Sequence, residues 1–245
     1  MQNAEAQVFC SALKNSLPYA IISTQSHIIT EYTELSLQEV FIMDYLYHGS
    51  SVAGITTLEP HSPLHNSDKR VVYLTGNIPY ALIYIWDEKR TGYDRKYVTG
   101  WMKDGIANYE EQFPDQLELF YKNVSGYLYY IQNRINFQPV DDRESMFYNE
   151  GSVSVDHAVF IADVYEELLK HEKSGLFRIL RYKEQSGKRQ DELTDMIAKA
   201  ILKNNFYQND TVQADFMKRY HHKAWEKAFN AYQTTDSRLS DVTAI

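Results

Sequence analysis

The sequence predicts an α+β fold, in which a mostly antiparallel or split sheet carries helical additions at both ends. Short runs of β-branched and aromatic residues alternate irregularly with helical periodicity, without the regular strand–helix rhythm of a parallel sheet. No internal repeat or Pro/Gly/Ser-rich linker divides the chain, and 44% hydrophobic residues in a chain of 245 suffice for a sizeable core. We therefore expect a core domain over 36–185, a mainly helical extension over 1–35, and a helical region over 186–245 that packs on the core.

The predicted core begins with two strands and a helix. Residues 39–47 are rich in β-branched and aromatic side chains and run into a Gly-Ser-Ser segment, which is typical of a strand that enters a turn. Residues 70–75 form a second short strand. A helix follows directly, because Asn77 is a good N-cap residue and Pro79 suits the first helical turn.

The remaining elements alternate between the two types of secondary structure. They are a helix from Pro114 through Tyr121, a strand over 126–132, a strand over 152–155, a helix over 161–171 that Gly175 closes, a strand over 176–182, and a wholly helical tail over 190–232. In this tail His221 and His222 point in different directions, and we expect them at the surface.

Composition narrows the class of protein. The net charge of −8 argues against a protein that mainly binds phosphate backbones, and the basic residues of 178–189 are expected to be a solvated strand end and loop. The single cysteine, Cys10, allows no internal disulfide, and no apolar run is long enough to span a membrane. These features favour a cytoplasmic protein.

Most familiar catalytic motifs are missing from the sequence. It has no G-x-G-x-x-G after a strand, no phosphate-binding G-x-x-x-x-G-K-[ST], no G-x-S-x-G and no H-E-x-x-H. His61 and His65 are four residues apart, but Pro63 between them prevents the helix that a metal-binding pair would need. No metal site is predicted.

A pattern of His, Tyr and Glu remains. Tyr47-His48-Gly49-Ser50 ends the first predicted strand, Val72-Tyr73-Leu74-Thr75 lies in the second, and Tyr148-Asn149-Glu150-Gly151 comes later. These motifs resemble those of the ADP-ribosyltransferase superfamily, in the H-Y-E branch of poly(ADP-ribose) polymerases and diphtheria-toxin-like enzymes. The resemblance covers roughly residues 40–185 and implies a split antiparallel β-sheet core with NAD as substrate.

The resemblance also implies a role for each motif residue. His48 and Tyr73 would be catalytic together with Glu150, for which Glu144, Glu166 and Glu167 are alternatives. His48, Gly49, Ser50 and Tyr73 would bind NAD, and a second aromatic ring would come from Tyr84 or Tyr80 on the following helix. One departure is Ala81, which stands where these enzymes often have a small hydroxyl residue that bonds the nicotinamide amide.

These residue types suit the chemistry of NAD cleavage. Breaking the nicotinamide–ribose bond leaves an oxocarbenium-like cation, which a carboxylate such as that of Glu150 stabilises. Two tyrosine faces can hold the flat nicotinamide ring, and glycine at position 49 lets the backbone approach the carboxamide. His48 would hydrogen-bond a ribose hydroxyl and orient the sugar.

Three functions stay open from the sequence. The first is a mono-ADP-ribosyltransferase that modifies a protein or nucleic-acid acceptor, which by analogy of fold is often a toxin, an effector or a conflict-system protein. The second is a catalytically inactive relative that binds NAD, or a partner protein through the aromatic-rich helices over 212–232. The third is an NAD-dependent RNA 2′-phosphotransferase, which needs several converging basic residues.

Overall fold

The computed structural model describes residues 45–64, 67–87, 99–132 and 137–242, of which the side chains of 234–242 are left aside. All of them belong to one compact unit that begins at Tyr45. The predicted extension over 1–35, the first part of the strand predicted over 39–47, Cys10 and His65 lie outside the described residues.

Strands and helices alternate irregularly along the described chain. The strands are β1 (Tyr45–Ser50), β2 (Thr57–Leu58), β3 (Ser62–Pro63), β4 (Arg70–Thr75), β5 (Gly100–Lys103), β6 (Ile106–Glu110), β7 (Gly126–Gln132), β8 (Gln138–Pro139), β9 (Met146–Asn149), β10 (Val153–Ser154), β11 (His157–Ile161) and β12 (Phe177–Leu180). The helices are α1 (Ile78–Leu82), α2 (Gln116–Tyr121), α3 (Val164–Lys173), α4 (Gly187–Lys203), α5 (Val212–Tyr220) and α6 (His222–Val242), with a 3₁₀ turn at Tyr182–Glu184.

The largest sheet has seven antiparallel strands. Its order is β11-β7-β1-β4-β9-β8, and β3 pairs with the beginning of β4. The register places Tyr47 opposite Thr75 and Tyr73 opposite Tyr148, so β4 lies between β1 and β9. The strand that carries His48 and the strand that carries Tyr73 are therefore neighbours.

A second sheet has three strands in the order β12-β6-β5, and β2 and β10 form a separate pair. β5 and β6 form a hairpin whose two turn residues, Asp104 and Gly105, both have positive φ, as tight hairpin turns require. β12 pairs with β6 in parallel. The chain is thus divided between separate, largely antiparallel sheets, which confirms the predicted α+β class.

Several predicted elements form where local chemistry favours them. The strands predicted over 70–75 and 126–132 have those bounds in the structure. The Asn77 side chain accepts a hydrogen bond from the Tyr80 amide at 2.8 Å and begins α1, with Pro79 in its first turn. The helix predicted from Pro114 begins two residues later, at Gln116.

Other predicted bounds were wrong. Ile161 belongs to the sheet-edge strand β11, where it pairs with Gly126, and the helix begins after the Asp163 N-cap. The strand predicted over 152–155 is two residues long, and that predicted over 176–182 covers Phe177–Leu180 after Gly175, which has φ of 79°. In each case strand pairing or an N-cap set the boundary, and neither shows in the periodicity.

The tail is not wholly helical. α4 ends before Asn205, whose φ is 53°, and α5 begins after the Thr211 N-cap. His221 closes α5 and is 5% exposed, contrary to the expectation of a surface site, because its ring packs 5.2 Å from that of Phe113. Phe216 contacts Phe113 and Phe120, so the C-terminal helices share the core of the preceding domain.

Candidate functional site

A cavity of about 1110 Å³ opens beside the first two strands of the large sheet. Residues of β1, of β4 and of the loop between them line most of it, and α1 with Tyr84 lines one side. Arg143 comes from the turn before β9, and Met146 is the first residue of that strand. The cavity contains five of the tyrosine and histidine side chains that the sequence places near the motifs: Tyr47, His48, Tyr73, Tyr80 and Tyr84.

His48 is oriented by the neighbouring strand. Its Nδ1 lies 3.1 Å from the carbonyl oxygen of Tyr73. A carbonyl only accepts, so Nδ1 carries the proton and the ring is held across β1 and β4. His48 is half-buried, which leaves part of the ring facing the cavity.

Gly49 is required by the close packing of α1 against β1. A Cβ atom at this position would lie 2.0 Å from the carbonyl oxygen of Ala81 and 3.1 Å from Cγ1 of Ile85. No side chain fits at these distances. The glycine thus brings the backbone of β1 and the backbone of α1 together at the wall of the cavity.

Three tyrosines form the aromatic part of the wall. The hydroxyl of Tyr73 donates to the carbonyl oxygen of Pro63 at 3.2 Å, which ties the strand to the loop. The rings of Tyr80 and Tyr84 pack edge to face, with centroids 5.6 Å apart. Tyr80 is buried, whereas Tyr84 is half-buried. Burial, assisted by Tyr80, raises the pKa of the Tyr84 phenol far above its usual value, so this hydroxyl stays protonated.

Glu150 lies immediately after β9 but not in the wall of the cavity. Its Oε1 is 2.7 Å from Nζ of Lys69, and both side chains are about half exposed, at 51% and 58%. This hydrogen bond raises the pKa of Lys69. The carboxylate is therefore near the beginning of β4 in an exposed ion pair, and its predicted catalytic role stays a prediction.

The alternative glutamates are also outside the cavity wall. The Glu144 carboxylate accepts a hydrogen bond from the amide of Gly105. Glu166 and Glu167 lie in the first turn of α3, where Glu167 pairs with Lys170 at 2.7 Å. The Glu144 and Glu167 carboxylates thus have partners in the local structure.

The structure adds polar residues that the sequence motifs did not identify. The carboxylates in the cavity wall are those of Glu59 and Asp68, and Glu59 accepts a hydrogen bond from the Ser152 hydroxyl. Arg143 joins them from a turn rich in charged residues. No periodicity or motif marks these positions, because their loops reach the cavity only through tertiary packing.

Comparisons with known proteins give no family for this chain. No family model, no curated protein and no solved structure matches it. Among the described residues, no group of three or more His, Cys, Asp and Glu is placed to hold a metal ion. Within the same residues, no helix has the length and apolar character needed to cross a membrane.

Proposed function

We propose that the protein is an NAD-dependent mono-ADP-ribosyltransferase with the H-Y-E type of site. The observation that carries this proposal is that His48, Gly49, Tyr73 and Tyr84 line one cavity although they come from three elements. The strand order adds support, since β1, β4 and β9 are adjacent and bear or precede the His, Tyr and Glu motifs. The separate antiparallel sheets are consistent with a split-sheet core.

The cavity residues suit the nicotinamide end of NAD. Tyr73 and Tyr84 offer aromatic rings to a planar amide-bearing ring, and Gly49, which lies in the cavity wall, is assigned to the carboxamide. Because the Tyr84 phenol stays protonated, it acts only as a neutral group at physiological pH. His48, oriented by the Tyr73 carbonyl, serves the ribose hydroxyls.

The reaction also needs a carboxylate that faces the developing cation. In this proposal Glu150 supplies it and leaves Lys69 when the ribose hydroxyls bind. Exposed ion pairs are weak because water screens both charges, so exchanging this partner costs little. Transition-state stabilisation, rather than substrate binding, is then the contribution of Glu150.

A second candidate is an NAD-binding relative without catalysis. The position of Glu150 outside the cavity wall favours it. The RNA 2′-phosphotransferase alternative has less support, since Arg143 is the only lysine or arginine among the described residues of the wall. Stacking and hydrogen bonding would be retained in a binding protein, whereas nicotinamide release would not.

Incubation with NAD labelled in the nicotinamide ring separates the enzyme from the NAD-binding relative. We expect release of free nicotinamide by the wild-type protein, with water or a supplied protein or RNA mixture as acceptor. Glu150→Gln should slow the release about 100-fold or more, by analogy with the loss of one transition-state contact. Glu118→Gln, which likewise removes the carboxylate of an exposed ion pair with a lysine and lies outside the cavity wall, is the matched control and should retain the wild-type rate.

Thermal unfolding with NAD completes the test. A ligand that binds only the native state raises the melting temperature even without turnover. A raised melting temperature without nicotinamide release would contradict the enzyme and support the NAD-binding relative. No release and no shift with millimolar NAD would contradict both.

A further inference from the structure

The charge of the cavity wall is unevenly distributed. Its described residues include two carboxylates, Glu59 and Asp68, and Arg143 as the only lysine or arginine. The nearby Lys69 is paired with Glu150, and Arg70 donates to the carbonyl oxygen of His61 at 2.7 Å. Among the described residues of the wall, an anionic ligand therefore finds a permanent positive charge only at Arg143.

Arg143 is held by a tightly hydrogen-bonded turn between β8 and β9. The amide of Val140 donates to the carbonyl of Met146 at 2.9 Å, and the amide of Arg143 donates to the carbonyl of Val140 at 3.2 Å. The turn is also joined to the end of β4, because the Gly76 amide donates to the Ser145 carbonyl at 2.9 Å. The backbone of Arg143 is thus fixed before any ligand arrives, which lowers the entropic cost of binding.

Arg143 is exposed, and its guanidinium group has no carboxylate partner among the described residues. Its Nη1 lies 4.0 Å from Sδ of Met146, whereas Arg181 and Arg189 form ion pairs at 2.7 and 2.8 Å. It is also close enough to Tyr84 to oppose, by its charge, the rise in the pKa of that phenol. Arg143 therefore faces the aromatic end of the cavity with its donor fork available.

We propose that Arg143 binds the diphosphate of the dinucleotide substrate, with its planar fork donating two hydrogen bonds to phosphate oxygens. This inference rests on the proposed function, since it names the part of NAD that the residue contacts. Arginine suits this task because its charge is permanent and its donors match two phosphate oxygens at once. The nicotinamide ring and the diphosphate are then bound by separate groups of one cavity.

The test compares ligands with and without the diphosphate. Dissociation constants for NAD, ADP-ribose and nicotinamide are measured by calorimetry on the wild-type protein, Arg143→Gln and Arg143→Lys. Loss of a charged hydrogen-bonded pair should weaken NAD and ADP-ribose binding about 10- to 100-fold in Arg143→Gln, with nicotinamide binding unchanged. Arg143→Lys should recover part of the loss, because it retains the charge but not the fork.

Arg178→Gln is the matched control. Arg178 lies on β12, is exposed, is not part of the cavity wall, and its replacement changes the net charge equally. Equal ADP-ribose affinity in Arg143→Gln and Arg178→Gln would overturn the inference. Each variant is also unfolded by heat without ligand. A melting temperature equal to that of the wild-type protein, together with unchanged nicotinamide binding, shows that the variant is folded.

The failure of this inference is distinguishable from that of the proposed function. ADP-ribose binding that depends on Arg143, without any nicotinamide release from NAD, supports the diphosphate site and overturns the enzyme alone. Normal NAD binding and cleavage by Arg143→Gln, with a loss only of transfer to a macromolecular acceptor, overturns the diphosphate contact. If the wild-type protein binds neither NAD nor ADP-ribose, both proposals are wrong.

Discussion

Among single residues, Gly49 links the sheet to the cavity. Its missing side chain allows the Ala81 carbonyl to approach the position that a Cβ would occupy to within 2.0 Å. Cβ atoms in proteins do not lie this close to other heavy atoms. Any larger residue at position 49 must therefore displace the backbone of α1, because the neighbouring atom is a backbone oxygen and not the end of a flexible side chain. The same helix is followed by Tyr84, which faces the cavity.

Gly49→Ala is therefore expected to destabilise the protein by about 1–3 kcal/mol or more, the usual cost of overpacking a tight core. It should also weaken nicotinamide binding, because a displaced α1 carries with it Tyr84, which follows two residues after the end of the helix. Denaturant unfolding measures the first effect and calorimetry the second.

Gly187→Ala is the matched control for this change. Gly187 begins α4, and no atom lies within 4 Å of the point that a Cβ would take there, so its replacement by alanine should leave the stability unchanged or raise it. Equal changes in the free energy of unfolding in Gly49→Ala and Gly187→Ala would show that the packing around Gly49 leaves room for a Cβ atom.

Between elements, an ion pair joins the C-terminal helical region to the second sheet. Glu110 at the end of β6 is 8% exposed and accepts from Nε and Nη2 of Arg189 in α4, each at 2.8 Å. Next to it, the Glu111 carboxylate accepts from the amides of Leu117 and Tyr182 at 3.1 and 3.0 Å. The ion pair with Glu110, together with its apolar face, thus positions helix α4.

Arg189→Ala should leave the Glu110 carboxylate without its principal partner. We expect a loss of about 1–2 kcal/mol in the free energy of unfolding, less than for a fully buried pair because the Arg189 side chain is 44% exposed. Chemical denaturation measures this loss.

Lys188→Ala, which removes a side chain that is 88% exposed, is the control and should have no measurable effect on the free energy of unfolding. A loss no larger in Arg189→Ala than in Lys188→Ala would contradict the anchoring role of the pair.

For the molecule as a whole, His221 makes the stability depend on pH. Its ring is buried between the loop that carries Phe113 and helix α5, and it is 5% exposed. Burial, with a smaller contribution from neighbouring His222, lowers the pKa of His221 to about 4. The folded protein therefore keeps this ring neutral at pH values where the unfolded chain binds a proton.

The sign of the effect follows from this difference. Below the unfolded pKa of about 6.5, the unfolded state takes up a proton that the folded state excludes, so the free energy of unfolding falls as the pH falls toward 4. Between pH 7 and pH 5 the contribution of His221 is a loss of about 2 kcal/mol. Urea unfolding at both pH values measures it.

His221→Gln should remove most of this pH dependence, because glutamine does not titrate. His222→Gln, at the exposed neighbouring position, should retain most of it. An unchanged difference between pH 7 and pH 5 in His221→Gln would assign the effect to other groups.

Local signals predicted the elements around the candidate site. The strands over 70–75 and 126–132 and the capped turn at Asn77 depend on nearby residues, so their bounds could be predicted. The edge strand β11 could not, because pairing with β7 outweighs the helical spacing at Ile161. The break between α4 and α5, at Asn205 with its positive φ and before the Thr211 N-cap, lies inside a run with helical spacing and could not be predicted from it.

The amino-acid sequence alone was enough to predict the α+β class and, through the resemblance of its motifs, to propose His48, Gly49, Tyr73 and either Tyr84 or Tyr80 as candidates, because motifs next to strand ends are local patterns. The folded chain was needed to show that these residues line one cavity, that Arg143 joins them, and that Glu150 pairs with Lys69 outside it. The difference arises from distance along the chain. Strand register and loop packing bring residues together that are far apart in sequence, and one sequence carries no direct record of those contacts.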